Sequence, residues 1–88
     1  MLIDEIEKYS TKNLNLAAFL YASGIHFIRA NKVDREFFFE FTPKIQAEKL
    51  INDYFSGTAT VNPRELFARF NDLKDLIFSQ RGSNGKTI

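Results

Sequence analysis

The chain carries one histidine and no cysteine, so the chemistry open to it is narrow. His26 would have to share a zinc ion with carboxylates alone, which is a poor ligand set. A Ser/His/Asp triad is formally available, but no serine stands in a Gly-x-Ser-x-Gly context. Glu36 and Glu40 form a spaced acidic pair on what reads as a strand, where they lie about 13 Å apart. That is wider than the paired carboxylates of glycosidases, and solvation of an outer sheet face is the expected role. The stretch "GSNGKT", residues 82–87, ends like a phosphate-binding loop. The first glycine of that motif belongs at position 80, which is Gln80, and no helical pattern follows. No catalytic, metal-binding or cofactor-binding residue is assigned, and the chain is not expected to be an enzyme.

Cations offer a different chemistry. Arg64, Arg69 and Lys74 recur along a helical segment and, with the nearby Arg81 of the tail, could meet the phosphates of a nucleic acid. Glu65, Asp72 and Asp75 interrupt that face, whereas a helix that reads nucleic acid usually shows a cleaner basic surface. Twelve basic residues against eleven acidic ones give a net charge of +1, hence no global attraction to nucleic acid or anionic lipid. Nucleic-acid association through these four residues is therefore the alternative reading rather than the first.

Composition sets further bounds. Eighty-eight residues make one domain, near the low end of what folds unaided. Without cysteine, stability must come from packing, and ten phenylalanines supply the bulk. The start of the chain, "MLIDEIEKYS", has Asp4 and Glu5 where a signal peptide needs a basic start and an apolar run. The longest uncharged apolar run, "LAAFLYA" at 16–22, is far short of the roughly 20 residues of a membrane span. A cytoplasmic protein is expected.

Hydrophobic periodicity supplies the elements. Residues 1–12 are an N-terminal segment in which Leu2, Ile3 and Ile6 share a helical face, with Tyr9 close by; they read as a short helical turn or a frayed end. A first helix runs from about Leu14 to Ser23, and Gly24 supplies the left-handed residue that ends it. Two strands follow, "IHFIRA" at 25–30 and "REFFFEF" at 35–41, joined as a hairpin. The second strand puts Phe37, Phe39 and Phe41 on one face, the expected core, and Glu36, Phe38 and Glu40 on the other. A three-residue loop, Lys32–Asp34, pairs Phe27 with Phe39 and Ile25 with Phe41, and sets His26 opposite Glu40 and Ile28 opposite Phe38. A four-residue loop from Asn31 instead pairs Phe27 with Phe38 and Arg29 with Glu36. The first hides more aromatic area and is preferred. Thr42 then caps a second helix with Pro43 at its first position, running to about Phe55 and closed by Gly57. Asn62, Pro63 and Glu65 open a third as a capping box, with Val61 and Leu66 as its hydrophobic staple. Residues 80–88 compose a flexible tail around a single domain at 13–79.

"LNLAAFLYASG", "FFFEF" and "YFSGTATVNPRELFARFNDLKDLIF" together resemble a family of short bacterial and phage proteins known only as a domain of unknown function. The likeness covers roughly residues 12–78. It consists of a small-residue helix ending in Gly, an aromatic strand, a Tyr-Phe-x-Gly helix end and a Val-x-Pro helix start. The resemblance implies the same element order and no activity.

The sequence thus predicts an α+β fold in the order α-β-β-α-α, an antiparallel β-hairpin with helices packed on one face. With Ile28 opposite it, Phe38 makes an apolar patch on the far side of a sheet whose edges are open. The expected function is a small non-catalytic protein-interaction module, a homodimer through the hairpin with Ile28 and Phe38 as its interface. The competing expectation is a monomer covered by its own N-terminal segment or tail.

Overall fold

The computed structural model describes residues 7–82, with side chains to Gln80. The expectations placed on Leu2, Ile3 and Ile6, and on residues 83–88, lie outside the described residues. The order is β1 (Tyr9–Thr11), α1 (Leu14–Ala22), β2 (His26–Val33), β3 (Glu36–Thr42), α2 (Lys44–Ser56) and α3 (Pro63–Gly82). The three strands form an antiparallel sheet in the order β1-β3-β2. The α+β class and the run α-β-β-α-α are as the sequence predicts.

The core assignment holds. Phe39 and Phe41 are 1% and 0% exposed and Phe37 is also buried, so the odd-numbered rings point inward. They meet Leu20, Ala47 and Leu73, one buried side chain from each helix. Helix α1 is the centre of the helical layer: Leu16 through Leu20 are all buried, and α3 packs along it. Ala17 and Ala18 let α1 lie close to its neighbours on more than one side.

Local signals fix the helix ends. The side chain of Asn13 accepts from Leu16 N at 3.1 Å, satisfying one of the free donors at the start of α1. At its other end Gly24 adopts φ +94°. There the Gly24 N–H donates to the Tyr21 carbonyl and the Ile25 N–H to Leu20, a Schellman closure in which Ile25 and Leu20 are both buried. Gly57, at φ +80°, closes α2 with the same pattern: its N–H donates to Tyr54 and that of Thr58 to Asp53. Asn62 caps α3, its Oδ1 accepting from Arg64 N at 2.9 Å and Glu65 N at 3.2 Å. Glu65, expected to reach back to Asn62, accepts from Arg69 Nε at 3.1 Å. The third helix also continues to Gly82, beyond the expected start of the tail.

Four expectations need correction. The N-terminal segment is not helical at Tyr9–Thr11, which pairs with β3 and makes the hairpin a three-stranded sheet. The free edge of β3 has backbone donors and acceptors to satisfy, and the alternation Tyr9, Ser10, Thr11 suits a strand with one face inward. Lys12 Nζ, at 3.1 Å from the Glu36 carboxylate, lies across the same pair of strands.

Neither expected hairpin register occurs. Asp34 and Arg35 form a two-residue turn, with Asp34 at φ +59°, a left-handed conformation that Asp tolerates. Val33 therefore faces Glu36, Asn31 faces Phe38 and Arg29 faces Glu40. An uninterrupted ladder would bring Ile28 opposite Phe41; a bulge at Ile28 lets Phe27 take that place instead. Phe27 then lies 5.4 Å from the Phe41 ring and 5.2 Å from the Tyr21 ring.

Thr42 is the last residue of β3 and not the cap of α2; its hydroxyl donates to the Glu7 carbonyl at 3.5 Å. Pro43, extended at ψ 149°, occupies the cap position, and the Thr42–Pro43 peptide is cis. Finally, Glu40 is buried rather than solvated. Arg29 Nε donates to its Oε1 at 3.0 Å, and Lys8 Nζ stands 3.7 Å from the same oxygen. Two cations, each half in water, thus pair with this buried carboxylate and cover it.

Candidate functional site

The sequence-predicted interface is not assembled. Ile28 occupies the bulge without a cross-strand partner and Phe38 faces Asn31, so the register does not pair them. Ile28 is 37% exposed and Phe38 half-buried. His26 is exposed and stands opposite Thr42, not Glu40. The sheet face shared by Phe38 is crossed by the Lys12–Glu36 and Arg29–Glu40–Lys8 ion pairs, a polar surface.

The cations of α3 are differently placed. Arg64 is exposed. Arg69 is engaged three ways: Nε on Glu65, a terminal nitrogen 3.1 Å from Asp72, and the guanidinium carbon 4.5 Å above the Tyr21 ring. Desolvation lowers its pKa, but the hydrogen bond to Asp72 and the charge of Glu65 outweigh that, and the net direction is upward. Arg69 thus ties α3 to the end of α1. Lys74 lies 5.5 Å from the Phe70 ring. Arg81 lies within α3, its side chain outside the description. Among the described residues, no group of three or more acidic or histidine side chains is close enough to hold a metal ion, and no helix is long and apolar enough to cross a membrane.

What the structure brings together is apolar. Helix α3 packs along α1, whereas α2 rests on β3 and one part of α1 and barely meets α3, which leaves a groove between α2 and α3. Ala18 and Phe19 of α1 form its floor, Tyr54 of α2 one wall, and Leu66, Phe67 and Phe70 of α3 the other. Ala59 and Val61 of the connecting segment also line it, and Asn15 is the one polar residue of the lining besides the Tyr54 hydroxyl. The groove has a volume of about 420 Å³. The rings of Phe19 and Tyr54 are 5.3 Å apart, and Phe55 meets Tyr54 edge-on at 5.2 Å, so the α2 wall is a packed aromatic ladder. Its outer rings stay in water: Phe55 is 72% exposed, Phe67 63% and, further along α3, Phe78 74%.

A family model described as "Domain of unknown function (DUF5659)" matches residues 7–79. The chain belongs to this family. The match begins before β1 and ends within α3, so it takes in the sheet and nearly the whole groove-bearing layer. No curated protein and no solved structure matches the chain.

Sequence reasoning missed Phe55, Phe67 and Phe78. A signal existed for Phe67 and Phe78: taking the buried Leu73 and the half-buried Leu66 and Ile77 as the inward stripe of α3, both fall about 100° away around the helix. An amphipathic helix usually presents polar residues there.

Proposed function

We propose that this domain is a non-catalytic protein-binding module, and that it binds through the aromatic groove of its helical layer. The observation that supports the reading is the exposure of Phe67 on the wall of a groove whose lining is almost wholly apolar, with the exposed Phe55 against its Tyr54 wall and the exposed Phe78 three turns further along α3. Single apolar side chains in water are ordinary, whereas a contiguous patch with a polar rim marks a surface that another molecule covers. A short domain has few large side chains to spare from its core. Aromatic rings are also the groups enriched where proteins meet.

The hairpin supports self-association less well. Strand β2 is an open edge, but it carries the bulge at Ile28 and places Lys32 on the core side, both features that discourage strand addition. The nucleic-acid alternative gains little from Arg69, whose donors are engaged by Glu65 and Asp72.

The test compares capture from a lysate of the native host by the tagged wild type, Phe67→Glu and Phe38→Glu. Loss of the captured protein with Phe67→Glu and its retention with Phe38→Glu is the expected result. The reverse order, or the same set for all three, would overturn the reading.

A further inference from the structure

The exposed rings of α3 have a symmetric arrangement. Phe67 and Phe78 are eleven residues apart, three turns and about 16 Å along the axis, and differ by only about 20° around it. Between them the same flank carries Asn71, Lys74 and Asp75, one cation and one anion. A hollow of about 440 Å³, lined by Leu14, Lys74, Asp75, Ile77 and Phe78, lies at the Phe78 end, as the aromatic groove lies at the Phe67 end. A flank with an aromatic knob and a hollow at each end of a neutral centre is complementary to itself when turned end for end.

We infer that the partner on this surface is a second copy of the chain, with the two α3 helices antiparallel about a twofold axis near Asp72 and Leu73. The inference rests on the protein-binding reading and specifies its partner. In this arrangement Phe78 of each copy enters the groove beside Phe67 of the other. A closed cavity of roughly 150 Å³ takes up a benzene, so the groove has room for the ring. Each Lys74 lies opposite the other copy's Asn71, at similar distances from that copy's Lys74 and Asp75, so the centre is close to neutral and neither drives nor opposes the contact. The area is also sufficient. At their exposures Phe67, Phe78 and the groove residue Tyr54 present about 350 Å² of ring surface, counting about 200 Å² per ring, and the half-buried Leu66, Phe70 and Ile77 beside them add to it. A standard interface covers about 800 Å² on each partner, of which about 450 Å² is apolar. The contact is isologous and closes at two copies, because each knob meets the other's groove.

The chain's lack of cysteine makes the test direct. Sedimentation of the wild type across a concentration series should give a dimer, and Phe78→Glu should give a monomer with an unchanged circular dichroism spectrum. Spin labels on Asn71→Cys should then lie close across the dimer, and labels on Arg64→Cys about 25 Å apart or more, since position 64 is about 8.5 residues from the axis. Equal short distances at both positions would mean parallel helices and overturn the arrangement. A dimer that survives both Phe78→Glu and Phe67→Glu would overturn it as well. A wild type that stays monomeric to high micromolar concentration overturns self-association. If that monomer still captures a host protein in a Phe67-dependent way, the protein-binding reading stands; if it does not, both fall.

Discussion

Replacing Phe39 and Phe67 by alanine, one at a time, separates the rings that make the fold from those that are left to bind. Phe39 is 1% exposed in the middle of the central strand, so truncation removes nearly all the burial of one ring. At about 25 cal/mol per Å² and about 150–200 Å² of ring, the loss is about 4–5 kcal/mol, within the usual range for Phe→Ala in a core. Phe67 is 63% exposed and has only about 75 Å² of its surface covered, some of it by the Cβ that alanine keeps. Its truncation should cost about 1–1.5 kcal/mol. An 88-residue domain is stable by about 4–13 kcal/mol, so the first variant sits near the edge of folding and the second does not. Urea unfolding followed by circular dichroism at low micromolar protein, where association adds least to stability, measures both. Phe39→Leu, which keeps most of the volume, serves where the alanine variant does not fold. The melting temperature should drop by at least about 16 °C for Phe39→Ala and by about 4–12 °C for Phe67→Ala. Equal losses at the two sites would refute the division between core and surface on which the functional reading depends.

Two further outcomes follow from the sheet and the helix ends. A double-mutant cycle on Arg29→Ala and Glu40→Ala should give a coupling of about 1 kcal/mol, held below that of a fully buried pair because Arg29 is more than half exposed; the Lys8–Glu40 coupling should be smaller and more salt-sensitive, and denaturant titrations at two ionic strengths measure both. Gly24→Ala should destabilise by about 1–2 kcal/mol through its backbone alone, since no atom lies within 4 Å of where the added methyl would stand. The check is that Gly24→Asn, a residue that enters the left-handed region more readily, should lose less.

Much of the fold is legible in residue types because punctuation and parity are local. Gly24, Gly57 and Asn62 end or begin helices through conformations and hydrogen bonds that need no distant partner. The alternation of Phe37, Phe39 and Phe41 names the inner face by itself. Register is less accessible: it depends on a turn at Asp34–Arg35 with no glycine to announce it, and on one extra residue at Ile28 that the pattern of β2 does not reveal. Strand β1 is three residues long and meets a partner about thirty positions on, so no local signal outweighs the helical spacing of Leu2, Ile3 and Ile6. Glu40 reads as solvated because its cover comes from elsewhere in the chain, Arg29 from β2 and Lys8 from just before β1. The groove is least legible of all, since it exists only because α2 and α3 splay on either side of α1. Which phenylalanines remain uncovered is then a property of the packing and not of any one helix.

The central claim is that the uncovered aromatic flank of α3, and not the sheet, is where this protein meets another molecule. Fluorine resonance spectra of the protein with fluorinated phenylalanine at all ten positions, recorded over a dilution series, test it directly. The signals of Phe67 and Phe78 should shift with concentration while that of Phe38 stays fixed. A moving Phe38 signal beside unmoved Phe67 and Phe78 signals would contradict it.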